Sequence, residues 1–180
     1  EEFLTASQVE ANGNWTFAPI ADHSEREHVF TATATDAAGN TSDKSDEFKL
    51  TTDYTAPDVS KLAITGVEDN VEPVTGIVPA GGTTDDSQPL IKGTGTAGDT
   101  IIVSVIDVNG THVLGNALVD SSGNWSLQVS GQSLASGDNT FTAIEMDPAG
   151  NMTDPSNPYT VTVDVVGPNA PVIENVRDDV

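Results

Sequence analysis

Apolar and polar positions alternate along most of this chain with a period of two. In "NWSLQVS" Trp125, Leu127 and Val129 alternate with Ser126, Gln128 and Ser130, and "YTVTVDV" repeats the pattern with Tyr159, Val161, Val163 and Val165. Strict alternation places one set of side chains on a buried sheet face and the other on a wet one. "TIIVSVID" is β-branched nearly throughout, as a central strand would be. Gly, Asn and Asp punctuate these runs at "TAGD", "DVNG", "SSGN", "SGDN" and "PAGN", each a turn signal. No stretch of useful length has helical periodicity. The pattern predicts seven strands, over 61–67, 88–96, 100–107, 112–119, 124–130, 139–147 and 159–165.

The chain also repeats itself. "GNW" at 13–15 returns at 123–125, 110 positions later, and "FTATATDAAGN" from Phe30 returns as "FTAIEMDPAGN" from Phe141, 111 positions later. "TAPDV" at Thr55 is echoed by "NAPVI" at Asn169. The landmarks keep one order while their offsets drift by a few residues, as small loop insertions would cause. A module of roughly 110 residues with seven strands has the size and strand count of an immunoglobulin-like β-sandwich. The expected fold class is therefore all-β. Residues 1–55 form the C-terminal half of one module, 56–168 a complete module and 169–180 the start of a third, so the chain reads as a stretch of a longer array.

Composition shifts attention to the loops. Twenty-eight acidic residues face 6 basic ones, for a formal charge of -22. That balance argues against nucleic acid and against insertion into an anionic membrane. Of the acids 18 are Asp and 10 are Glu, and Asp is the shorter residue favoured in turns and calcium loops. There is no cysteine, and His23, His28 and His112 are scattered, so a zinc site has no ligand set. Neither GxSxG nor HExxH occurs, and the acidic clusters fall in loops, so a non-enzymatic protein is expected.

The succession "TAP…ITGVEDNVEPVTGIVPAGGTTDDSQPLIKGTGTAGDTIIVSV", then "GNW", then "FTA…DPAGN" resembles the bacterial Ig-like (BIg) repeats of giant type I-secreted adhesins, SiiE-type and related to Bap-like biofilm proteins. The resemblance covers the complete module and the partial ones as far as they go. It implies a calcium-binding rod on a bacterial surface rather than an enzyme.

Antiparallel strands sort the acids between two poles. Asp99, Asp147, Asn151 and Asp154 fall at the pole where the chain enters the module. Asp69, Asp85, Asp86, Asp107 and Asp164 fall at the pole where it leaves. Head-to-tail stacking would bring Asp53 and Asp58, on either side of a short linker, toward the 147–154 loop, and a Ca2+ ion would relieve the repulsion. In "TTDDSQP" the adjacent Asp85 and Asp86 read as a second calcium candidate, with Asp69 closing the long loop onto them. The spacing is not that of an EF-hand. Turn chemistry is the competing explanation, because Asp accepts hydrogen bonds from following amides and Gly supplies positive φ. Glu145 reads either as an edge-facing residue or as an added ligand, while Trp15 and Trp125 read as equivalent core positions.

Together these features lead us to expect a calcium-stiffened structural repeat of an extracellular adhesin stalk, holding a distal binding tip away from the cell. Its immediate partners would be neighbouring modules, with the host or surface receptor bound elsewhere in the parent protein. A calcium-dependent carbohydrate-binding module is the alternative.

Overall fold

The computed structural model describes residues 7–18 and 24–175. The chain divides into two compact units, Glu1–Tyr54 and Thr55–Val180. The longer strands of the second unit lie where alternation or β-branching calls for them. The only helical element among the described residues is a single 3-10 turn at Val59–Lys61.

The first unit contains β1 (Arg26–Phe30) and β2 (Phe48–Thr52), an antiparallel pair in which Phe30 faces Phe48. The second contains β3 (Ala63–Asp69), β4 (Gly76–Val78), β5 (Thr83–Thr84), β6 (Leu90–Thr94), β7 (Thr100–Asp107), β8 (Gly110–Leu118), β9 (Asn124–Gln128), β10 (Gly137–Met146) and β11 (Tyr159–Val163). These nine strands form two sheets. One has the order β5-β11-β10-β7-β8, the other β4-β3-β6-β9. The pairing of β1 with β2 reproduces that of β10 with β11, where Phe141 faces Tyr159. The internal repeat is thus a repeat of register as well as of sequence.

All seven expected strands are present. The long loop after β3 is the exception to the sequence reading, because it carries two further short strands. β4 runs antiparallel to β3, and β5 runs parallel to β11 in the opposite sheet. The crossing segment between them contains Pro79, Gly81 and Gly82, which hide its strand character from a periodicity argument. Its pairing is set by tertiary contact: Gly81 N–H donates to Thr160 C=O at 2.7 Å, and Thr162 N–H to Gly82 C=O at 2.9 Å.

The core fills the space between the sheets with Val67 and Ile91 from one side and Ile101, Val103, Val105, Phe141, Ala143, Val161 and Val163 from the other. Burying each of these larger side chains contributes roughly 1.5–3 kcal/mol. Trp125 caps the cluster, 3% exposed, and its indole N–H donates to Thr94 C=O at 2.9 Å. Tyr159 fastens one sheet to the other, its hydroxyl donating to Val78 C=O at 2.7 Å. Partial burial pushes its phenol above the ordinary value.

Trp15 does not share the fate of Trp125. It is 53% exposed, and Phe48, the counterpart of Tyr159, is 66% exposed. Among its described residues the first unit has two strands and no second sheet to lay over them, so equal sequence does not give equal burial there. The bounds read from the sequence at residues 1–6, 19–23 and 176–180 lie outside the described residues.

Candidate functional site

The repeated acidic turn is one hairpin built four times. In Asp36–Asn40, Asp120–Asn124 and Asp147–Asn151 the first residue donates its N–H to the C=O of the fifth, at 3.0, 2.8 and 3.0 Å. The glycine in fourth place returns a bond to the first residue's C=O. Glu10–Asn14 forms the same backbone ring with Glu in place of Asp. The glycine must adopt positive φ, 91° at Gly39 and 94° at Gly150, a region that L side chains avoid.

The Asp carboxylate fills this ring. Asp147 Oδ1 accepts from Ala149 N–H and Asn151 N–H, each at 2.9 Å, while Oδ2 accepts from the Asn151 side-chain amide at 2.8 Å. Asp36 repeats all three contacts with Ala38 and Asn40. Bonds from Asn151 and Asn40, the side-chain amide foremost, hold both carboxyls below the ordinary carboxylate value. Asp120 makes the two backbone contacts, to Ser122 and Asn124. Its motif, "DSSGN", was readable in the sequence as the same turn. Turn chemistry thus accounts for the Asp and Gly of these three copies and for the Asn of the copies at Asp36 and Asp147.

At the other pole the long loop does close where expected, through hydrogen bonds. Asp69 Oδ2 accepts from the Thr84 hydroxyl at 2.6 Å, and Oδ1 from Val71 N–H at 2.8 Å. Asp86 accepts from Gln88 N–H at 2.7 Å and Asn70 N–H at 3.2 Å, and its own N–H donates to Thr84 Oγ1. Asp69, Thr84 and Asp86 are all buried. Thr84 is the residue that the sequence reading missed. It follows from β5, since only a strand there turns position 84 inward. Just past β5 the adjacent Asp85 and Asp86 diverge, Asp85 exposed to solvent and Asp86 buried.

The remaining candidates are exposed. Asp58 caps the 3-10 turn and accepts from Ser60 N–H at 3.0 Å, and bonding to Ser60 holds its carboxyl below the ordinary value. Asp53 follows β2, and Asp154 follows the buried Thr153. Glu145 is not edge-facing. It is fully buried on the inward face shared with Phe141 and Ala143, its Oε1 accepts from Thr96 N–H, and its Oε2 has no partner. Gly95 makes the space, since a side chain there would stand 3.1 Å from that carboxylate.

A calcium ion asks for six to eight oxygens. Among the described residues no three His, Asp or Glu side chains gather closely enough to hold a metal. The oxygens of Asp69, Asp86 and Asp147 are also largely occupied by amides and hydroxyls. A shallow groove of about 430 Å3 runs past Thr65, Lys92, Asp120, Asn124 and Ser126. Trp125, its aromatic neighbour, is buried and cannot serve as a stacking platform.

A family model described as the bacterial Ig-like domain matches residues 2–54 and 61–165. The chain belongs to that family. The bacterial Ig-like identity agrees with the two-sheet architecture and with the register that the two units share. The sequence matches no curated protein. Nine solved chains match, among them one described as a tetra-tandem repeat in the extending region of a large adhesion protein. That likeness has 23% identity and a TM-score of 0.44, and it covers 88% of this chain and 37% of the other. Among the described residues no helix is long and apolar enough to cross a membrane.

Proposed function

We propose that this chain is a spacer from the stalk of a bacterial surface adhesin, a non-catalytic run of Ig-like modules that carries a binding tip located elsewhere in the parent protein. The observation that supports it most is the repeated register: β1–β2 and β10–β11 are the same hairpin in successive units of one chain. Repetition of a whole structural unit adds length, and a catalytic site has no need of it. An antibody raised against the chain should label intact cells of the source bacterium. Labelling that requires lysis would overturn the surface assignment.

Calcium belongs to the proposal as a stiffening ion. Asp58 and Asp154 at one pole of the complete module and Asp85 at the other would contribute exposed carboxylates to separate ions, as Asp53 would at the end of the first unit, with the remaining oxygens drawn from a further module. Titration calorimetry should register calcium and not magnesium, and excess calcium should raise the melting temperature above that in chelator. Superimposable melts would remove calcium while leaving the spacer assignment standing. The carbohydrate-binding alternative rests on the exposed aromatics Trp15, Phe48 and Tyr54 of the first unit, since in the second Trp125 is buried and the Tyr159 hydroxyl is engaged by Val78.

A further inference from the structure

The turn that joins β7 to β8 consists of Val108 and Asn109, and Asp107 pairs with Gly110 across it. An Asn followed by Gly carries its own reaction. The next backbone nitrogen lies within reach of the side-chain carbonyl carbon, and a residue without Cβ does nothing to shield it. The sequence has two such pairs, Asn12–Gly13 and Asn109–Gly110, and the fold treats them differently.

Asn12 is held at both ends of its carboxamide. Its Nδ2 donates to Glu10 Oε2 at 3.1 Å, and its Oδ1 accepts from Asn14 N–H at 2.8 Å. Asn109 is held through its backbone, whose N–H donates to Asp107 Oδ1 at 2.7 Å. Among the described residues its carboxamide has no hydrogen-bond partner. Asn109 and Gly110 are both exposed, and a carbon added at Gly110 would meet nothing within 4 Å, so water has open access to the bond between them. Other asparagines are less suited. Asn40 and Asn151 give their side-chain amides to Asp36 and Asp147, and Asn139 is buried.

We infer that Asn109 is a site of spontaneous deamidation in the folded protein, with water as its co-reactant. Gly110 N gives up its proton to solvent and attacks Asn109 Cγ. The new Cγ–N bond closes a five-membered succinimide, and the Cγ–Nδ2 bond breaks as ammonia leaves with a proton from water. Water then opens the ring. Addition at Cγ breaks the new bond and leaves an aspartate. Addition at the main-chain carbonyl carbon of Asn109 breaks its original bond to Gly110 and leaves an isoaspartate, whose chain runs through Cγ. Neither branch oxidises or reduces anything.

Either product sets a carboxylate two positions from Asp107, whose own carboxylate lies 3.9 Å from His112. The isoaspartate also adds a backbone carbon to a two-residue turn, and turn length fixes the register of a hairpin. β8 is the edge of its sheet, whereas β7 is held by β10 as well. The modification therefore loosens the start of β8 and leaves β7 in place. The site is independent of calcium and of the stalk assignment.

Incubation of the whole chain at mildly alkaline pH, followed by peptide mapping with electron-transfer fragmentation, tests it. Asn109 should convert to a mixture of aspartate and isoaspartate several-fold faster than Asn12. In denaturant, where both carboxamides are free, the two sites should convert alike. Conversion at Asn109 should slow at mildly acidic pH, because the attack needs the deprotonated nitrogen. Amide exchange should quicken on ageing over residues 111–113 and stay unchanged in β7. Asn109→Ser removes the carboxamide and should show neither change. A native chain that keeps Asn109 intact while the denatured chain converts it, native conversion at Asn12 equal to that at Asn109, or the same quickening of β8 in aged Asn109→Ser would overturn the inference.

Discussion

Gly93 lies directly against Trp125, so close that a single carbon added at position 93 would stand 2.3 Å from the indole and 2.2 Å from Ala63 C=O. Neither neighbour can yield, one being a buried ring and the other backbone. Gly93→Ala should therefore cost at the top of the overpacking range, about 3 kcal/mol or more. At about 4 °C or more per kcal/mol for a domain near this size, the melting temperature of the second unit should fall steeply. Little change would mean that Trp125 is not seated on this glycine.

The hairpin at Asp147 should make the fold acid-sensitive. Its carboxyl titrates below the ordinary value of 3.8, as does that of Asp36. A group depressed in the folded state contributes stability that is complete above its unfolded value and is lost as pH falls through its native one. Melting temperature should thus be flat near neutrality and drop below about pH 4. Asp147→Ala should lower it by a few degrees at pH 7 and by less at pH 3, where the carboxylate bonds are already weakened. An identical loss at both values would show that the charge is irrelevant to the turn.

Thr84 holds two buried acids with one oxygen, donating to Asp69 and accepting from Asp86 N–H. Thr84→Val keeps the shape and leaves a buried carboxylate oxygen and a buried amide unpaired, which costs about 1–3 kcal/mol for each group left unsatisfied. Denaturant unfolding should show the loss at unchanged m-value, while Thr83→Val on the exposed neighbour should be nearly silent.

Glu145 tests the opposite balance. Its Oε2 and the Thr96 hydroxyl are both buried without partners. Glu145→Gln keeps an acceptor for Thr96 N–H and removes the carboxylate. The variant should melt at or above the wild-type temperature, since a buried carboxylate without a cation costs more than it returns. A marked fall would mean that a cation or an ordered water engages the carboxylate.

Strands were legible from sequence wherever one face is wet and the other dry, and the positions of β9 and β11 follow from that alone, while β7 was legible as a β-branched run. β4 and β5 were not, because three- and two-residue strands have no period to read and are specified by their partners. The turn Asp residues were legible as chemistry and ambiguous as function. One oxygen-bearing side chain suits both a ring of amides and a metal, and only coordinates reveal the amides. Glu145 was illegible for a different reason: it shares the face of Phe141 and Ala143, yet its charge led to an edge-facing or ligand reading, and nothing local announces that Gly95, just past β6, leaves room for it.

The short parallel contact of β5 with β11 has a mechanical consequence. Tension applied to the two ends of a parallel pair slides one strand along the other, so its hydrogen bonds must break together instead of one after another. Here Gly81 to Thr160, Thr162 to Gly82 and Asp164 to Thr84 would carry that load at once, at 2.7, 2.9 and 2.9 Å. The segment that sequence alone presents as a slack acidic loop is the clamp that a pulled module must shear before its sheets can part.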